Sequence, residues 1–226
     1  MDGEQLVTPT RPDPRWGLPV FLVGFGSYYL VSLVIAALVP AGDTHSGPLL
    51  LLPLSANLLL GAAPVIGSLL RGRGLRADFG LLPTARGVGV GVVCGAVSVV
   101  VGVVLSLAVT HVLHPVPPQV PTGGLSAWTL SYGVFLVVGA PITEELLVRG
   151  ALWGALEGYG VPRGIVLVFT ALVFAFLHLD PPRLLSLFAQ GLAIGAARLL
   201  TGGIGASIVA HAANNLLPAL ALLLVA

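Results

Sequence analysis

Long apolar runs separated by short polar stretches organise this chain from residue 17 onward. The runs cover 17–39, 49–70, 87–110, 127–156, 164–179, 184–200 and 204–225. About 20 apolar residues in a helix cross the ~30 Å hydrocarbon core of a bilayer, so each run reads as a spanning helix. The fold expected is all-α, a polytopic membrane helical bundle of about seven transmembrane helices. The runs at 164–179 and 184–200 are the shortest and are flanked by Pro181-Pro182. Between the runs lie a polar tail at 1–16, a basic connector at 71–86 and a Pro/Gly-rich loop at 114–125. The organisation that follows is a cytoplasmic tail at 1–16 and a bundle over 17–226, with no soluble domain and no repeat of fixed period. The first run is too long for the apolar part of a signal peptide and is expected to be a retained anchor.

Composition supports this reading. Of 226 residues 56% are hydrophobic and only 8% charged, with mean hydropathy +1.02, whereas a soluble domain carries roughly a quarter charged residues. The formal net charge of +1 gives no basic field for nucleic acid. The single cysteine, Cys94, excludes a disulfide framework. All ten basic residues are arginines. Arg11 and Arg15 precede the first run, Arg71, Arg73, Arg76 and Arg86 follow the second, Arg163 precedes the fifth and Arg198 closes the sixth. By the positive-inside rule the N-terminus is cytoplasmic and, with seven spans, the C-terminus lies outside a cell membrane. Absence of lysine beside abundant Ala, Gly and Arg suggests GC-rich coding and a bacterial source. Trp16, Trp128 and Trp153 fall near expected interfaces, and the pairs Gly91/Gly95, Gly150/Gly154 and Gly191/Gly195 suit close helix packing.

Ionisable groups deep in a span are the informative ones, because a mid-bilayer carboxylate costs ~2.5–3.5 kcal/mol even on the lenient insertion scale. In the fourth run Pro141 removes a backbone hydrogen bond to the Val137 carbonyl and is expected to bend or break the helix, with Thr143 helping to satisfy the freed backbone. Glu145 and Arg149 are four apart and suit an ion pair. Glu144 lies ~100° away around the helix. A purely structural reading, with Arg149 neutralising one carboxylate and snorkelling to the interface, covers Glu145 and leaves Glu144 without a partner. His178 stands at the end of the fifth run, where an interfacial histidine at a frayed helix end is the plainer alternative. His211 and Asn215 share one face of the last helix, where interhelical polar contacts are common. Counted at 1.5 Å per residue from the cytoplasmic ends, Glu144, His178, His211 and Asn215 fall within one ~10 Å slab near the midplane. Independent structural residues need not align in this way.

Such a set can hydrolyse an amide. A carboxylate shielded from water is a competent base toward a water molecule, a histidine beside it can orient that water, and an imidazole with a carboxamide can donate to a developing oxyanion. No nucleophile elbow, HExxH, P-loop or dinucleotide fingerprint is present. Two histidines plus a carboxylate also form a plausible zinc set. His111 and His114, followed by Pro115, Pro117 and Pro118, read as loop residues, and Asn57 and Gln190 as interhelical hydrogen-bonders, Gln190 within reach of a cavity.

Glu144-Glu145-xxx-Arg149, Phe174-xxx-His178 and His211-xxx-Asn215, in that order, resemble the motif set of the CPBP family of intramembrane glutamic endopeptidases, of the CAAX prenyl-protease and Abi, bacteriocin-processing types. The resemblance covers roughly 127–218, the expected protease core; the first three helices carry no motif. It implies Glu144 as general base, His178 as its helper in activating water, and His211 and Asn215 as the oxyanion hole. Glu145, Arg149 and Phe174 would support the site, some accounts giving Glu145 a share in catalysis. It further implies a membrane-associated protein or peptide as substrate, no cofactor and no nucleic acid. Prenylated tails are not expected as natural substrates in a bacterium. The competing readings are a zinc-dependent membrane metalloprotease, a transporter with broken helices around a midplane carboxylate, and a non-catalytic immunity or scaffold protein.

Overall fold

The computed structural model describes residues 13–40, 47–113 and 125–225, and among these residues there is no strand. The helices are α1 (Gly17–Leu38), α2 (Leu52–Arg71), α3 (Leu75–Phe79), α4 (Ala85–Leu113), α5 (Ala127–Gly158), α6 (Arg163–Leu177), α7 (Leu184–Thr201) and α8 (Ile204–Val225). Six of them, α1, α2, α4, α5, α7 and α8, are long and apolar enough to cross a membrane. The chain is therefore a polytopic helical bundle of the expected class, with one adjustment. The fifth span expected at 164–179 is a helix of 15 residues, ~22 Å long at 1.5 Å per residue and short of the hydrocarbon core. It stops where the local sequence cannot continue it. His178 caps its C-terminus, Leu179 takes φ 49°, and Asp180 accepts from the Arg183 backbone N–H to start the Pro181–Arg183 turn. The Pro181-Pro182 pair bars helical continuation into that turn.

α5 departs from expectation in the opposite sense. It runs unbroken through Pro141 because the Ala140 N–H reaches back five residues to the Phe135 carbonyl, opening a π turn at Phe135–Gly139. A second π turn spans Leu146–Leu152. Such turns absorb the missing proline hydrogen bond without ending the helix and re-aim the side chains that follow. Thr143 plays its expected part, its hydroxyl lying 3.1 Å from the carbonyls of both Gly139 and Ala140. At its start, Ser126 and Thr129 form a reciprocal capping box.

α5 sits at the centre, against α1 and α2 on one side and α8 on the other, while α7 packs among α4, α6 and α8. Phe21, Leu60, Leu147, Val148 and Leu152 join α1, α2 and α5, and Phe174, Leu187, Ile194, Ala206 and Ala210 join α6, α7 and α8. The small residues bring backbones together: a Cβ on Gly91 would stand 2.6 Å from the Ala206 carbonyl, and one on Gly195 2.7 Å from Leu167. Outward, α1 and α4 present Leu30, Leu33, Val93 and Val100. Lipid, not water, is the solvent such surfaces require.

Candidate active site

The two glutamates follow the π turn of α5 and enter the interior. Glu145 and Arg149 are both fully buried, and the Arg149 Nη1 donates to Glu145 Oε1 at 2.9 Å. The Arg149 Nη2 donates to the Gly191 carbonyl of α7 at 2.8 Å, and its guanidinium stacks 4.7 Å from the Phe174 ring centre. Arg149 thus stays inside the bundle, where the structural reading had it snorkelling outward. Glu145 also accepts from His211 Nδ1 at 3.1 Å.

Glu144, 6% exposed, turns toward α2. Its Oε1 accepts from Asn57 Nδ2 at 3.0 Å, and the Asn57 Oδ1 in turn accepts from the Thr143 hydroxyl. Its Oε2 has no hydrogen-bond partner and lies 3.9 Å from His211 Nε2. That separation is too long for a hydrogen bond, yet one water can bond both atoms at about 2.8 Å.

The Phe174 ring organises the histidines. It stands edge-on to His178 at 4.8 Å and to His211 at 5.3 Å between centres. His178 Nδ1 lies 2.9 Å from the Phe174 carbonyl. A carbonyl only accepts, so Nδ1 carries the proton and, in the neutral ring, Nε2 is left as an acceptor. The same reasoning at His211, whose Nδ1 donates to a carboxylate, leaves its Nε2 bare unless the ring takes a second proton.

Asn215 is held by a relay from α4. Ser98 Oγ donates to Asn214 Oδ1 at 2.8 Å, Asn214 Nδ2 donates to Asn215 Oδ1 at 3.2 Å, and Asn215 Nδ2 donates to the Leu136 carbonyl at 2.9 Å. This fixes the amide's orientation and leaves its second N–H unassigned.

His178, His211, Gln190, Asn214 and Asn215 line one cavity of about 320 Å³ between α4, α6, α7 and α8. Three of the four residues expected to carry the chemistry therefore share a cavity. Glu144 is not in its lining and joins the cluster through His211. Gln190 lines the cavity, and Asn57 is an interhelical hydrogen-bonder, as expected. That Asn57 is tied to Glu144, and that Ser98 and Asn214 stand behind Asn215, was not foreseen; a lone amide in mid-span and a second amide beside Asn215 were the available signals. His111 occupies the last turn of α4, not a loop, while His114 and the prolines after it lie outside the described residues. Among the described residues no three His, Cys, Asp or Glu side chains are grouped to hold a metal ion.

Residues 126–217 match the family described as Rce1-like, type II CAAX prenyl endopeptidase. The matched stretch runs from the cap of α5 into α8 and holds all three motifs, in agreement with the family they resemble. No curated protein and no solved structure matches the chain. Six helices are long and apolar enough to cross a membrane, so the chain is a multi-pass membrane protein that is similar to this family over residues 126–217.

Proposed function

From that protease family as premise, we propose that this protein is an intramembrane endopeptidase that cleaves a membrane-associated protein or peptide by glutamate-activated water. The observation that carries the reading is the free Oε2 of Glu144, buried and 3.9 Å from the Nε2 of His211, which with His178 and Asn215 lines the cavity. Glu144 takes a proton from water as the water oxygen attacks the scissile carbonyl. His178 Nε2, an acceptor in the neutral ring, orients that water. The second N–H of Asn215 and the protonated Nε2 of His211 donate to the tetrahedral oxyanion. The proton held by Glu144 then passes to the departing amine, the C–N bond breaks, and a carboxylate and an amine leave. Glu145 and Arg149 hold His211 and the Phe174 ring in place.

With the Nδ1 atoms of His178 and His211 committed to the Phe174 carbonyl and Glu145, both Nε2 atoms are left to face water or a metal, so the two mechanisms are separated by the chelator arm of the test. The arginine distribution supports a cytoplasmic N-terminus in a bacterial cell membrane. The test is cleavage of a membrane-inserted reporter peptide by purified protein, plain or farnesylated, with and without a strong chelator. Cleavage that persists with the chelator and is lost in Asn215→Ala supports the reading. Loss with the chelator and recovery with zinc would replace it by the metalloprotease, and ion flux without cleavage by the transporter.

A further inference from the structure

A second cavity, of about 550 Å³, opens at the opposite end of α5, where α1 begins and α2, α5 and α7 end. Its charged lining residues are Arg73, Asp78, Glu157 and Arg198. The two carboxylates are already satisfied. Asp78 accepts from Ser68 Oγ at 2.7 Å and from the Arg73 backbone N–H at 2.8 Å, with the Arg73 guanidinium 3.6 Å away. Glu157 accepts from Arg163 Nε at 2.8 Å. Arg198 differs. It is 6% exposed, its Nη1 has no hydrogen-bond partner, and neither a hydrogen bond nor an ion pair joins its guanidinium to any described residue. Its guanidinium carbon lies 5.3 Å from the centre of the buried Trp153 ring, and Glu157, paired with Arg163, is the leading carboxylate acting on it through space. A ring face attracts the charge but accepts none of the in-plane N–H donors. Burying a cation with its donors idle is costly unless an anion completes the site.

The floor beside Arg198 is open: a Cβ on Gly154 or on Gly202 would meet no atom within 4 Å. The cavity lies at the end of the bundle that carries Arg15, Arg71, Arg73, Arg76, Arg86 and Arg163, the level at which lipid headgroups meet a positive-inside face. We propose that Arg198 is the centre of an anion site for a phosphate group, presented as the phosphodiester of an anionic lipid headgroup or as a free phosphate ion. The planar fork of a guanidinium matches two phosphate oxygens, and the rim ion pairs leave Arg198 as the charge that recruits them.

Native mass spectrometry of the full chain in neutral detergent, titrated with phosphatidylglycerol, tests the site, with inorganic phosphate titrated separately in lipid-free protein. The wild type retains phosphatidylglycerol, Arg198→Met reduces retention at least tenfold, Arg198→Lys is intermediate, and Arg86→Met, at an exposed position on the same face, binds as wild type. If Arg198→Met fails to fold, Gly154→Val, which grows into the open floor, gives the same loss. Retention that excess inorganic phosphate displaces assigns the site to the free ion, and retention that survives it assigns the lipid headgroup. Equal retention by Arg198→Met and wild type, or by Gly154→Val and wild type, overturns the proposal, as does binding of neither probe by the wild type.

Discussion

Glu144 and Glu145 are neighbours in sequence, yet α5 turns them toward different company. On the side facing α7 and α8, Glu145 is enclosed by Arg149 and His211, and Arg149 is tied onward to the Gly191 carbonyl. On the side facing α2, Glu144 has one oxygen held by Asn57 and the other without a partner. Both are buried carboxylates on one helix turn, so burial alone does not separate a structural acid from a reactive one. Each has one oxygen without a hydrogen-bond partner, so what separates them is the charge beside them: Glu145 is closed in an ion pair with the buried Arg149, whereas Glu144 is held only by the neutral Asn57 amide, with its free oxygen 3.9 Å from His211 Nε2. Pro141 contributes to the difference, because the π turn before it sets the direction in which both side chains leave the helix.

The largest effect is expected on the closed side. Arg149→Met leaves Glu145 buried beside His211 without its cation and should cost about 3–5 kcal/mol of stability, read as a lower unfolding midpoint in detergent; an unchanged midpoint would mean that the pair is not structural. Next comes His178→Ala, expected to lower kcat by ~10²–10³ with the midpoint close to wild type, since general acid–base partners contribute in that range. Asn57→Leu sharpens the comparison from the open side. It frees both oxygens of Glu144, and kcat should fall ~10-fold with KM held, the signature of lost positioning. The smallest effect belongs to Asn214→Ala, a few-fold loss of kcat from a less constrained Asn215 amide; one neutral hydrogen bond is worth about 1 kcal/mol. A loss there as large as for His178 would move Asn214 from positioning into the chemistry.

Much of this difference was legible in the sequence, and some of it could not be. The i, i+4 spacing of Glu145 and Arg149 foretold their ion pair, because helix geometry alone places them together. The apolar runs foretold the bundle, since bilayer thickness sets their length. The end of α6 at Leu177 was harder to read, because Leu179 is as apolar as the helix before it and the stop is made by the Asp180 cap and the prolines. The single span over 127–156 was legible, but the π turn before Pro141 was not, because proline chemistry fixes which hydrogen bond is lost, not whether the helix bends, ends or widens. Which helices face each other is a tertiary fact, so Asn57 could be named as polar but not assigned to Glu144. His211 showed its helix face and not its partner, and its bond to Glu145 is what makes an oxyanion role depend on a second proton. Arg198 read as a topological charge at a helix end, whereas in the fold it lies buried on Trp153 with its donors idle.

The central claim, that the idle oxygen of Glu144 activates the attacking water, is tested most directly by measuring cleavage and unfolding midpoint together for Glu144→Gln and Glu145→Gln in one purified preparation. Glutamine keeps the acceptor that Asn57 needs, so Glu144→Gln should fold as wild type and lose at least ~10²-fold in cleavage, while Glu145→Gln should lower the unfolding midpoint. A Glu144→Gln protein that cleaves at the wild-type rate would contradict the account.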